Sequence, residues 1–179
     1  MLFRWLPVGH NWIKCNLDSD VCPCCGQHDE TFAHLLQCPH EQQQQHRHSI
    51  TRKFFKFGKD HKLPRQFLRH YISLVKTVLF NTDPPTEYFS PAIEKATEHQ
   101  ADIGFYHMVV GFISDTWTEV LNEMEVDHPA TKMELILQFQ WDEICEPMWK
   151  IRNDIKHSTE NKATPMELKQ MEDKLMWYN

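Results

Sequence analysis

Glycine is scarce in this chain, five in 179 residues. Tight hairpins and phosphate-cradling loops draw on glycine's freedom at positive φ, so the shortage disfavours a strand-rich fold and a Gly-rich nucleotide loop. No G-x-S-x-G elbow occurs, and no two aspartates are adjacent. A polymerase holds two metal ions on paired carboxylates, so that chemistry has no visible seat, and the expectation is a chain without catalysis. His40-Glu41 opens like a zincin helix, but residue 44 is Gln where the second His belongs. Glu125 to His128 is a single E-x-x-H, where a di-iron bundle needs two.

Long apolar runs are missing too. Nothing approaches the roughly 20 residues of a membrane span. The start, MLFRWLPVGHNW, has no continuous apolar stretch and no small-residue cleavage site. The expectation is therefore an intracellular chain, nuclear or cytoplasmic, with no membrane partner. In a reducing compartment clustered cysteines are more often ligands than disulfides.

Against these absences stand 41% apolar residues, 12% aromatics, six Trp and eleven Phe, enough for a packed core. Charge is unevenly spread. Residues 1–80 hold 11 Lys+Arg and 6 Asp+Glu, a net of +5, whereas residues 81–179 hold 8 and 19, a net of −11. Two surfaces with different partners follow, or two halves that attract one another.

Helix signals dominate from residue 41 onward, so the chain reads as mainly α: a small CCHC zinc module followed by a bundle-like helical body. EQQQQHRH should continue as helix into ITRKFFKF, with Gly58 as its end. Pro64 opens a clearer one, with Phe67, Tyr71, Leu74, Val75 and Val78 at helical spacing, ending near Phe80 before the breaker Asn81-Thr-Asp-Pro-Pro85. Ser90-Pro91 starts a third, running to about Glu125 with interruptions near Gly104 or Gly111. Thr131 to Glu134 reads as a capping box, Pro147 as a kink, and Thr164 to Glu167 as the start of a last helix. The organisation expected is a lead-in and zinc module at 1–40, a basic helical segment at 41–80 and an acidic helical region at 86–179.

Val21 to His40, VCPCCGQHDETFAHLLQCPH, holds four of the six cysteines. Cys22, Cys25, His34 and Cys38 are spaced C-x2-C-x8-H-x3-C. A C-x2-C turn converges two thiolates, and residues four apart on a helix share a face. Three thiolates and one imidazole are the ligand set of one structural, closed Zn²⁺. The competing readings are a disulfide staple and four residues holding no metal. Cys24 is expected to point away, although it offers a substitute ligand. The roles of Cys15 and Cys145 stay open.

The same stretch resembles the zinc-binding region that follows the reverse transcriptase in non-LTR-type retroelements. The matching residues are Cys22, Cys25, Gly26, Glu30, Thr31, His34, Leu35, Leu36, Cys38 and Pro39. Arg4 to Gly9 is similar to that family's lead-in, and Trp149, Arg152 and Asn153 resemble its W-x-x-R-N element. The resemblance implies a polyprotein tail without the catalytic parts. In it Glu30 and Thr31 would occupy the first turn of a helix, Leu35 and Leu36 would pack the module onto the helices behind, and Trp149 would fill core. Arg152 and Asn153 would cap or bridge helices.

Behind the cysteines lies the best nucleic-acid candidate. Arg47, Arg52, Lys53, Lys56, Lys59, Lys62, Arg65 and Arg69 are interleaved with Phe54, Phe55, Phe57 and Phe67, and Asp60 is the single acid among them. Cations track a phosphate backbone, and exposed rings stack on bases. The plainer reading is two amphipathic helices with Phe in the core. Two functions are carried forward: a zinc-stabilised tail binding RNA or DNA, and a protein-interaction module whose acidic helices dock a basic partner.

Overall fold

A computed structural model describes residues 21–27 and 30–160, with side chains as far as residue 158. The Trp5 and Trp12 anchors, the lead-in and the last helix lie outside the described residues. Those described are helical, with no strand among them. After the cysteine turn come α1 (Phe32–Gln37), α2 (Glu41–Asp60), α3 (Arg65–Phe80), α4 (Pro91–Ile103), α5 (Phe105–Val109), α6 (Thr116–Glu123), α7 (Pro129–Gln140), a π-helical turn (Trp141–Cys145) and α8 (Glu146–Glu160). No helix among them is long and apolar enough to cross a membrane.

α3 is the hub. Phe67, Leu68, Tyr71, Ile72, Leu74, Val75, Val78 and Leu79 are all buried, around most of its circumference. Burial on so many sides requires neighbours on every flank, and α1, α2 and α5 supply them. The chain then winds through α4, α6 and α7 and returns as α8 against α1 and α2. One hydrophobic cluster runs from Leu35 and Leu36 through α3 to Met148, so the cysteine module shares its core with the helical body. Buried polar groups are paired across it. The Tyr71 hydroxyl donates to Oε1 of Gln140 at 2.8 Å, and Nε2 of that Gln donates to the Met108 carbonyl at 3.1 Å.

Boundaries depart from expectation at three places. Gly58 lies inside α2, not at its end, and is buried: a Cβ there would overlap the Leu68 side chain, so Gly58 sets how closely α2 approaches α3. Helix α7 begins at Pro129 behind His128, and Thr131 sits within its first turn, so the anticipated capping box does not form. Pro147 neither ends nor sharply divides the following helix. The turn before it opens to π geometry, with the Glu146 N–H bonded to the Trp141 carbonyl five residues back. The long helix expected after Ser90 does break at Gly104 and near Gly111, and Ser90 caps α4 by accepting from the Ile93 N–H at 3.3 Å.

Candidate metal centre

The cysteine turn is built by its own backbone. The Gly26 N–H bonds the Cys22 carbonyl at 2.9 Å and the Cys22 N–H bonds the Gln27 carbonyl at 2.7 Å. Gly26 takes φ +73°, which a side chain adopts only with strain. That closure faces Cys22 and Cys25 toward α1. Thr31 caps α1, its Oγ1 accepting from the His34 N–H at 3.0 Å. The helix ends at Gln37, so Cys38 is extended (φ −49°, ψ 128°), as the residue before a proline prefers. His34 and Cys38 still end about one turn apart, on the side facing the cysteine turn.

The result is a compact donor cluster. The ligand atoms of Cys22, Cys25, His34 and Cys38 all lie within 4.8 Å of one another. Cys22 Sγ is 3.8 Å from Cys38 Sγ, and Cys25 Sγ is 3.3 Å from His34 Nε2. Cys22 and Cys38 are buried, and Cys25 and His34 are half-buried. All four donors converge, so the cluster is arranged to hold one metal ion. The described cysteines are free thiols, and no disulfide links them.

Cys24 does not point away as expected. Its thiol lies near those of Cys22 and Cys38: the Cys22 thiol, with burial, pushes it up to about 12, and the Cys38 thiol opposes that shift. The thiols of Cys24 and Cys38 hold the Cys22 thiol far below its ordinary range, while Cys22, Cys24 and burial raise Cys38. Such crowding favours one thiolate that its neighbours stabilise. Cys145 is elsewhere: buried, with Sγ 3.6 Å from the Val109 carbonyl and its thiol raised to about 12 by burial, it packs the core.

Two neighbours of the cluster carry charge into the interior. Glu30 is fully buried and precedes the N-cap Thr31. Its carboxylate accepts two bonds from Arg152, Oε1 from Nε and Oε2 from Nη2, both at 2.6 Å. The Arg152 guanidinium also lies over the Trp149 ring, 5.1 Å from its centroid. Arg152 thus ties α8 to the cysteine module. Arg47 is the second. Expected among surface cations, it is 5% exposed, with Nη1 donating to the Leu36 carbonyl at 3.2 Å. Burial lowers its pKa, and the nearby Cys38 opposes that shift.

The remaining basic residues divide. Lys53 pairs with Glu143 at 2.7 Å, and the Arg69 guanidinium sits 5.5 Å from the Phe89 ring centroid. Arg52, Lys56 and Lys59 are exposed on α2 at spacings of four and three, hence on one face. Arg65 and Arg69 are exposed together on α3, and Lys62 occupies the turn between with φ 57°. Phe54 and Phe67 are core, Phe57 is half-buried, and Phe55 is 38% exposed beside the α2 cations. Sequence reasoning missed the Glu30–Arg152 pair. The signal present was an acidic pair, Asp29-Glu30, inside the cysteine stretch, but a partner 122 positions away leaves no spacing to read.

No family model, no curated protein and no solved structure gives a significant match to this chain.

Proposed function

We propose that this chain is a non-catalytic, zinc-stabilised tail of a retroelement reverse transcriptase, and that it binds RNA or DNA. The observation that carries the reading is the convergence of Cys22, Cys25, His34 and Cys38, in the order and spacing of that family's motif. Tetrahedral Zn²⁺ with bonds of about 2.3 Å to sulfur and 2.0 Å to nitrogen puts two sulfurs about 3.8 Å apart and sulfur and nitrogen about 3.5 Å apart. The separations of 3.8 Å and 3.3 Å fit that shell. Four protein donors fill it, leaving no open position for a reacting water, so the ion's task is to fix shape. Contact between Glu30 and Arg152 supports the same reading, because it joins the E-T and W-x-x-R-N elements of the resemblance.

Nucleic-acid binding is supported by the exposed Arg52, Lys56 and Lys59, which form a cationic stripe on α2, the helix that follows the metal module. The test has two parts. Zinc per chain is measured in protein purified without added metal, for the wild type and for Cys38→Ser. One equivalent in the first and much less in the second is expected, and a folded wild type without zinc would sink the metal reading. Affinity for single-stranded RNA is then measured against salt. Binding should weaken steeply as salt rises and be lost in Arg52→Glu/Lys56→Glu/Lys59→Glu, and a flat response would remove the nucleic-acid half.

A further inference from the structure

A cavity of about 430 Å³ opens where α2 passes the C-terminal ends of α1 and α3. Its wall includes Gln37 of α1, Gln44, Arg47 and His48 of α2, and Phe80 and Asn81 at the end of α3. None of these is acidic. Three side chains are carboxamides, which both donate and accept. Nε2 of Gln37 donates to the Val78 carbonyl and Nε2 of Gln44 to the Pro39 carbonyl, each at 2.8 Å, which holds both amides in fixed orientations. The rings of His48 and Phe80 lie 5.2 Å apart at a tilt of 39°, a ready aromatic wall. Arg47 is nineteen-twentieths buried, and its Nε has no hydrogen-bond partner.

That lining selects among ligands. Two helix C-termini border the cavity, and their partial negative charge disfavours a phosphate inside it. Arg47 already donates to the Leu36 carbonyl. A neutral, flat heterocycle with donors and acceptors on its edge fits better: carboxamides read such an edge, and aromatic rings stack on its face. The phosphates have their own place outside. Beyond the cavity residues Gln44 and His48, the same face of α2 continues through Arg52, Phe55 and Lys59, at spacings of four, four, three and four; all five are exposed, and Arg52 and Lys59 carry the cations. No acid occurs between Gln44 and Lys59. At about 1.5 Å per residue this face is about 22 Å long, leading from the cavity along the cationic stripe.

We infer that the cavity is a base-binding pocket, taking one unpaired nucleobase of a single strand whose backbone follows Arg52 and Lys59. The inference rests on the nucleic-acid reading above and adds where the strand is anchored. Fluorescence anisotropy of the zinc-loaded chain, in low salt, compares labelled deca-uridylate with an abasic ribose-phosphate strand of equal length and charge. The wild type should prefer the strand with bases by about tenfold, the scale of one base stacked on an aromatic ring. In Gln44→Ala/His48→Ala that preference should vanish while affinity for the abasic strand stays unchanged. Both side chains are exposed, so the fold should survive. Equal binding of the two strands by the wild type, with loss on reversing the stripe, overturns the pocket and leaves the nucleic-acid reading standing. A preference that persists in the double variant also overturns it, since the base is then read elsewhere. Absence of binding to either strand overturns both proposals.

Discussion

Gly58 sits where α2 meets α3, with Leu68 occupying the space a side chain would need. Alanine gains about 1 kcal/mol in helix propensity, but displacing a packed leucine costs about 1–3 kcal/mol. Gly58→Ala should therefore lower the urea midpoint, and a raised one would mean that Leu68 swings clear. From sequence this glycine read as a helix end, because its neighbour across the interface is ten positions on and invisible to local rules. His70 is a second buried residue with a measurable consequence. Its Nε2 is 2.8 Å from Thr97 Oγ1, and that hydroxyl already donates to the Ile93 carbonyl, so the imidazole is the donor. Burial lowers the His70 pKa. The stability it contributes is present above the ordinary histidine value of about 6.5 and is lost as pH falls through the depressed folded value. Melting temperature should drop on acidification below about 6.5, and His70→Gln should flatten that part of the profile. An unchanged slope would mean that His70 does not govern it.

At the scale of elements, the region around Pro147 shows how a helix keeps going through a residue that lacks an N–H. The carbonyl four residues before it, that of Glu143, loses its usual donor. Nε2 of His46 on α2 bonds this carbonyl at 2.8 Å, and Lys53, two turns further along α2, reaches the Glu143 carboxylate. α2 thus grips the irregular turn at two points. His46→Ala should cost about 1–2 kcal/mol in chemical denaturation, as expected for a carbonyl left short of a donor. Pro147→Ala supplies an N–H there, so the same His46→Ala change should cost less in that background, and equal costs would refute the coupling. The sequence located Pro147 as a disturbance. It could not say that the response is a π turn clamped by α2, because the clamp is a tertiary contact 97 positions away.

Over the whole molecule the Glu30–Arg152 pair is the bolt between the cysteine module and α8. Buried ion pairs are costly to break from one side, about 3–5 kcal/mol, since the remaining charge is left without a partner. Arg152→Met should destabilise the fold by that order. Glu30→Leu/Arg152→Met should recover much of the loss, and additive costs in a double-mutant cycle would show that the two do not act together. Metal removal should propagate along the same route. Leu35 and Leu36 between the ligands are fully buried in the common core, so a chelator should lower the melting temperature of the whole chain and expose α1 and α8 amides to exchange. Exchange confined to the cysteine turn would mean that the module unfolds alone.

The sequence by itself determined the helical class, most helix positions and the four members of the Cys/His donor cluster. Each of these is encoded locally, in apolar periodicity, in Pro and Ser at helix starts, and in ligand spacings of three, nine and four residues that a turn and one helical turn bring together. Only the tertiary structure decided what became of the charges. Arg47 went inside, Lys53 to Glu143 and Arg152 to Glu30, while Arg52, Lys56 and Lys59 stayed at the surface. The reason is that a cation's environment is set by which helix packs over it, and that choice is made by the shared core around α3 rather than by the residues beside it in the chain.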